Sequence, residues 1–260
     1  MKNRTKVLGL AVAALLTISS NNLFAQETTE APVCKTHDFD LGVRGAANMS
    51  MLYAGEKELN KNYSFDAGYS VGLTGSYGFT KQLSLVVEVD YSKLNTLRNG
   101  VQPLLPNSIL QNPNQPLFAN YTKKEVFDYI ETPVMIRFTY GKKVKLLVNA
   151  GPYVGFLTAA KVRTSGASLL YQDAKGQLPD ASATVYNFTG YQDVTPVITT
   201  VNFGVAGGVG VSYTYEKHTF SVDGRYNVGL TNIRDNSAMY GKNNLQTLAI
   251  GLGYSYLLFR

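Results

Sequence analysis

Apolar side chains alternate with small or polar ones along most of this chain, with the two-residue period of a β-strand. The last segment shows it clearly, with Leu248, Ile250 and Leu252 on one face and Ala249 and Gly251 on the other. The pattern recurs eight times, which predicts strands at about residues 39–53, 65–79, 83–95, 123–140, 144–162, 201–215, 220–230 and 248–258. The chain is therefore predicted to be all-β.

The connections between these segments alternate between tight and long. Tight turns fall at 80–82, 141–143 and 216–217, and the long connections run over 54–64, 96–122, 163–195 and 232–244. Outer-membrane barrels have short turns on the periplasmic side and long loops outside, and their even strand number returns both chain ends to the turn side. We therefore predict a closed antiparallel up-and-down transmembrane β-barrel of eight strands over residues 39–260.

The environment of the bulky face needs a separate argument, because a soluble up-and-down barrel shows the same alternation. The polar face is mostly Gly, Ala, Ser, Thr and Asn, which suits the crowded lumen of eight strands better than bulk water. Charged residues make up 16% of the chain, against about 25% in ordinary soluble domains. Strand propensity explains the number of aromatic residues, but not their position at turn-side strand ends, where an interfacial girdle lies. These aromatic residues are Phe79, Phe138, Tyr140, Tyr213, Tyr215, Phe220, Tyr256 and Phe259. We expect the bulky face to contact outer-membrane lipid.

The first 25 residues have the features of a secretory signal peptide. Three basic residues precede an apolar run at 7–18, which is too short to span a membrane as a helix. We expect cleavage after Ala25, a short periplasmic lead-in over 26–38, and localisation in the outer membrane of a Gram-negative bacterium. These three residues supply half of the formal net charge of +6, and no basic patch follows, so no nucleic-acid partner is expected. Cys34 is the single cysteine, which excludes an intramolecular disulfide.

Three segments carry a family resemblance: FDYIETPVMIRF at 127–138, NAGPYVGFLTAAKV at 149–162 and VDGRYNVGLTNI at 222–233. They resemble the PorT-like outer-membrane β-barrel family of Bacteroidetes. The final GLGYSYLLFR also fits, although Arg260 follows the aromatic residue that usually closes such chains. The resemblance covers nearly all of the mature chain and implies the fold and the strand order. Since some members are implicated in a secretion system for surface and secreted proteins, it also implies a link to secretion, but it assigns no role to any residue.

The inward face of the predicted barrel carries charges of both signs. An isolated charge in a narrow lumen is very costly, so these side chains are expected to pair and to rigidify the barrel as a lumen charge network. A proton or ion path is the alternative, whereas free diffusion is usual only in barrels of about 16 strands. The predicted members are Asp40, Arg44, Asp66, Glu88, Asp90, Glu131, Arg137, Lys145, Asp223 and Arg225.

The sequence offers little for catalysis. Histidine is the commonest general base, but both histidines, His37 and His218, lie on the turn side, away from the long loops. Carboxylate chemistry stays open, because Asp173, Asp180 and Asp193 share one loop, although acids in loops are usually only solvated. No cluster of His or Cys has the spacing of metal ligands. We predict a protein that is not an enzyme and that has no metal site or cofactor.

The two longest loops are the remaining candidates for function. Residues 101–121 are rich in Pro, Asn and Gln, and the loop after them carries aromatic side chains of the kind favoured at binding surfaces. These possible loop contacts are Tyr171, Tyr186, Phe188 and Tyr191. The loops either shield the barrel mouth or bind a partner. The sequence favours a non-catalytic scaffold or interaction protein that contacts envelope or secretion proteins, with a narrow channel or small-solute uptake porin as the alternative.

Overall fold

The structure is a computed structural model of the 260-residue chain, and it describes residues 37–54, 63–104, 117–180, 184–234 and 243–259. The predicted signal peptide and nearly all of the predicted lead-in lie outside these residues, so their limits stay a prediction. Within the described residues no helix is long and apolar enough to cross a membrane.

The described residues form fourteen strands, eight of which make a closed ring. The ring strands are β1 (Phe39–Ala54), β2 (Tyr63–Gly78), β3 (Leu83–Arg98), β6 (Thr122–Gly141), β7 (Val144–Ser165), β12 (Val201–Tyr215), β13 (His218–Gly229) and β14 (Asn243–Phe259). All neighbours in the ring are antiparallel, and the last strand pairs with the first from Phe39↔Phe259 to Ala54↔Asn243. The predicted eight-stranded barrel is confirmed.

Burial alternates along each ring strand, as the sequence pattern predicts. On β14, Ile250 and Leu252 are each 66% exposed, whereas the intervening Gly251 is buried. Aromatic rings gather at the turn-side ends, where Phe39 stacks on Phe259 with centroids 5.2 Å apart and Phe220 lies 5.3 Å from Tyr254. An exposed apolar band bordered by such rings is the surface of a transmembrane barrel.

Several ring strands extend further toward the long loops than the sequence pattern indicates. β3 continues to Arg98 rather than 95, and β7 continues to Ser165 rather than 162. The β6–β7 ladder runs from Thr122↔Ser165 to Gly141↔Lys145, whereas about 9–11 residues of a tilted strand cross a bilayer. The barrel wall therefore continues well beyond the apolar band on the loop side.

The long loops also contain short strands that the sequence did not predict. They are β4 (Val101–Pro103), β5 (Phe118–Asn120), β8 (Ala167–Ser168), β9 (Leu170–Tyr171), β10 (Tyr186–Asn187) and β11 (Gly190–Asp193). β4, β5 and β9 form a three-stranded sheet, β8 pairs with β10, and β11 joins the edge of β7. Leu104, Leu117, Ala119 and Leu170 form a small buried cluster beneath this loop sheet. The described parts of these two long loops therefore fold together.

Candidate functional site

The lumen holds most of the charged side chains that the sequence places on the inward face. Its turn-side half is a polar cavity of about 140 Å³, lined by Asp40, Arg137 and Lys145 among Ser and Thr side chains. Arg137 Nε donates a hydrogen bond to Asn149 Oδ1 at 2.9 Å. This half of the lumen has room for a few water molecules.

Two bidentate ion pairs lie above this cavity. Arg44 on β1 donates from Nη2 to Asp223 Oδ2 at 2.6 Å and from Nε to Oδ1 at 3.1 Å. Arg225 donates from Nη1 to Glu88 Oε2 at 2.7 Å and from Nη2 to Oε1 at 3.0 Å. All four side chains are buried. Such geometry is what compensates the desolvation of buried charges.

The Arg225–Glu88 pair crosses the lumen. Arg225 lies on β13 and Glu88 on β3, and these two strands are opposite each other in the ring of eight. The Arg44–Asp223 pair depends on a glycine beside it, because a Cβ at Gly251 would overlap the guanidinium of Arg44. The arginine pairs thus form a strut through the middle of the barrel.

Asp90 and Glu131 follow next toward the loop side. They are directly opposite each other in the β3–β6 register, and both are buried. Both carboxylates line a small cavity of about 10 Å³, together with the arginines Arg44 and Arg225. Like charges at directly opposed positions of an antiparallel pair repel, and the two arginines on the same cavity offset that repulsion.

An apolar layer closes the barrel above the carboxylates. Its most deeply buried members include Phe127, Tyr129, Leu94 and Leu52, all exposed by 1% or less. Loop residues Ile198 and Ile233 complete the layer from above. We call this layer the apolar plug. The lumen is therefore filled at two levels, by the arginine strut and by the apolar plug.

Asp66 is the exception among the predicted lumen charges. It lies where the β2–β3 register shifts between Phe65 and Tyr69, and it pairs with Lys124 at 2.7 Å. Lys124 lies on the outward face of β6, because its neighbour Glu125 points inward and is buried. The assignment of Asp66 to the lumen network is therefore wrong, since the bulge breaks the two-residue period on which it was based.

A further charged cluster, which the sequence reasoning missed, lies above the apolar plug. It contains Arg98, Lys123, Glu125 and Arg234. Counting back in twos from Glu131 reaches Glu125 and Lys123, so the signal was present. Lys123 and Glu125 lie at the start of the predicted strand 123–140 but were left out of the predicted network, and Arg98 lies three residues beyond the predicted strand 83–95.

The four aromatic residues proposed as loop contacts are not equivalent. Tyr186 and Phe188 pack against the cluster beneath the loop sheet, and Phe188 also stacks on Tyr121 with centroids 5.0 Å apart. Tyr171 pairs with Phe118 in the sheet. Only Tyr191 among the four is largely exposed, at 59%, with the Arg163 guanidinium 5.8 Å from its ring. Three of these residues therefore contribute to the fold of the loops.

The loop carboxylates have structural partners. Asp173 accepts backbone N–H groups from Lys175, Gln177 and Leu178 at 2.7–3.0 Å. These hydrogen bonds, that from Leu178 above all, hold the pKa of Asp173 below its usual range. Asp193 likewise accepts the N–H of Thr195 at 2.9 Å. Each carboxylate therefore holds a turn.

The two histidines lie on the turn side. The His37 ring contacts Tyr77 Oη at 2.7 Å, and that of His218 contacts Tyr254 Oη at 2.9 Å. In the described part of the chain, no group of three or more His, Cys, Asp or Glu could hold a metal ion.

Comparison with known proteins gives a family match and distant structural similarity. A family model for the outer membrane protein beta-barrel domain matches residues 24–235. No curated protein matches the chain. Among solved structures, Ail, the attachment invasion locus protein of Yersinia pestis, is 12% identical, with 85% of this chain and 100% of Ail covered and a TM-score of 0.35.

Two other structural matches are similarly distant. OprG of Pseudomonas aeruginosa is 12% identical, with 87% of this chain and 98% of OprG covered and a TM-score of 0.42. The outer membrane protease OmpT of Escherichia coli is 9% identical, with 89% of this chain and 99% of OmpT covered and a TM-score of 0.30.

Proposed function

Because the chain belongs to the family of outer membrane protein beta-barrel domains, we propose that it is a non-catalytic membrane scaffold whose folded loops bind another protein of the cell envelope. The observation that carries this proposal is the contrast between the two parts of the molecule. The lumen is filled by side chains at two levels, whereas the loops form a sheet with a buried cluster of their own. Ordering a loop costs conformational entropy. A loop that is already ordered does not lose that entropy again when it binds, so the folded loop sheet favours binding of a partner.

The loop region also presents apolar side chains to the surroundings. Leu178, Val185 and Val197 are each at least 60% exposed, and all three lie in the connection between β7 and β12. Scattered exposed apolar residues are ordinary, but these three lie in described parts of the same connection as Tyr191. This group of residues is the proposed contact surface.

We further propose that the partner belongs to protein secretion or to the maintenance of the envelope. The support is the resemblance of residues 127–138, 149–162 and 222–233 to PorT-like barrels of Bacteroidetes, some of which are implicated in secretion. The loop carboxylates support a role without catalysis, because Asp173 and Asp193 hold turns.

Loop variants test the scaffold proposal in a strain that lacks the gene. Deleting the gene is expected to impair surface-protein export or envelope integrity, and the triple variant Leu178→Ser/Val185→Ser/Val197→Ser should fail to restore it, because it removes the apolar contact surface. The matched control is Lys175→Ser/Gln177→Ser, which changes exposed polar residues of the same loop and should restore the wild-type level. Heat-modifiable mobility in gels checks that each barrel is folded. A harmless deletion, or full restoration by the triple variant, would contradict the proposal.

A narrow channel is the second candidate, and the polar cavity of about 140 Å³ in the turn-side half of the lumen favours it. Measurements of conductance distinguish the channel from the scaffold. In planar bilayers the reconstituted wild-type protein should show no discrete conductance steps, because the arginine strut and the apolar plug fill the lumen above that cavity. Reproducible single-channel steps that vanish on heat denaturation would instead support the channel.

A further inference from the structure

The charged cluster above the apolar plug has an unusual balance of charge. Arg98 and Lys123 are directly opposite each other in the β3–β6 register, and both point into the barrel. Arg98 is 6% exposed and Lys123 is 9% exposed. Like charges that face each other across an antiparallel pair repel, and burial increases the cost. This arrangement therefore requires compensation.

Glu125 compensates only part of this charge. Lys123 Nζ and Arg234 Nη2 both contact the same carboxylate oxygen, Oε1, at 2.6 Å. The other oxygen, Oε2, is buried and has no hydrogen-bond partner within the residues that the structure describes. Among the described residues, this cluster therefore holds three cations and one carboxylate, and that carboxylate pairs with two of the cations.

Arg98 is the cation that the carboxylate does not reach. Its guanidinium lies 5.2 Å from the ring centroid of Tyr63, and its Nε is buried with no acceptor in the described ranges. The lumen below shows how this barrel otherwise treats buried arginines, since Arg44 and Arg225 each make a bidentate pair with a carboxylate. Within the described residues, the planar fork of Arg98 therefore lacks the oxyanion that such a fork matches.

We propose that Arg98, Lys123 and Arg234 bind an oxyanion at the loop-side mouth of the barrel. The ligand is a phosphate, sulfate or carboxylate group, either as a free ion or as part of a surface glycan or glycolipid. Arg98 binds it through Nε and one Nη, and Lys123 contributes the facing charge. The apolar plug lies directly below, at Phe127 and Leu94, so the site holds the anion at the outer mouth. This inference is independent of the proposed scaffold role.

Phosphate binding to the purified full-length mature barrel in detergent micelles tests the site. At constant ionic strength, sodium phosphate should bind saturably by calorimetry and raise the thermal midpoint relative to sodium chloride. Arg98→Gln and Lys123→Gln should each weaken phosphate binding at least tenfold. Lys93→Gln is the matched control, because Lys93 lies on the same strand as Arg98 but outside the barrel, 3.7 Å from Asp128. This variant should bind phosphate as the wild type does.

A second variant guards against misfolding of Arg98→Gln. Arg98→Lys keeps the charge but loses the bidentate fork, so it should fold and still bind phosphate several-fold more weakly. A parallel measurement uses nanodiscs that contain a phosphorylated glycolipid. Binding of free phosphate assigns a soluble ion, and binding of the glycolipid alone, lost in Arg98→Gln, assigns a lipid-linked group. The proposal is overturned if neither ligand binds, or if binding survives both Arg98→Gln and Lys123→Gln.

Discussion

Replacing Arg225 by methionine is expected to destabilise the barrel by about 3–5 kcal/mol, because it leaves a buried carboxylate without its partner. Glu88 is 1% exposed, and both of its oxygens accept hydrogen bonds from Arg225. Methionine fills much of the same volume, so the loss comes mainly from charge rather than from packing. Urea-induced unfolding of the protein in phospholipid vesicles measures the change.

Two further variants isolate the ion pair. Arg225→Met/Glu88→Met should recover most of the lost stability, because an apolar pair of similar volume replaces a buried ion pair at little cost. Arg163→Met removes an arginine from the outside of the wall, where its contact is the exposed ring of Tyr191, and should cost less than about 1 kcal/mol. If Arg225→Met were as mild as Arg163→Met, Glu88 would be reached by water and the strut would not fill the lumen.

The inward position of most lumen charges follows from the two-residue period alone. Glu88 and Asp90 share a face of β3, and Asp223 and Arg225 share one of β13, whatever the strands pair with. Which of these charges form ion pairs with each other was not predictable from the sequence. Arg225 meets Glu88 because the ring closes with β13 opposite β3, and that depends on closure and stagger, which no single strand encodes.

Prediction from the sequence failed where the two-residue period breaks or where strands leave the membrane. Asp66 was misplaced because a bulge at 65–69 shifts its register. Arg98 was missed because β3 continues three residues beyond its predicted end, past the apolar band, where lipid no longer imposes an apolar outer face. Lys123 lies at the very start of the predicted strand 123–140, where the outer face already carries the polar Lys124. Beyond the apolar band, the alternation of apolar and polar residues is therefore a weak indication of which side chains point inward.

The loop sheet could not be predicted from local pattern. Its strands contain two or three residues, too few for a period, and β5 pairs with β9 across about fifty residues of sequence. Only the composition of the loops gave a hint, since Tyr121 and Phe188 are large aromatic residues in otherwise polar segments. They stack on each other and support the loop sheet. Aromatic residues in long loops are therefore as compatible with an internal core as with a binding surface.

Ile250→Arg is expected to cost about 2–4 kcal/mol, the penalty for a cationic side chain at the bilayer midplane on the lipid face of a barrel. Ile250 is 66% exposed and lies midway between Tyr254, among the turn-side aromatics, and Gln246, the first polar residue on the same face of β14. Leu178→Arg is the matched control, because Leu178 is 60% exposed in a loop outside the membrane. It should change stability by less than about 0.5 kcal/mol. Urea titration in vesicles compares the two variants.

The comparison of these two positions distinguishes lipid from water directly. In water, an arginine at either exposed position would be nearly neutral, and the two variants would unfold at the same urea concentration. In a bilayer, only Ile250→Arg places a charge in hydrocarbon, so its midpoint alone should fall. Equal midpoints would mean that the apolar band around Ile250 contacts water, and the soluble barrel, which shares the same alternation, would then be the correct interpretation.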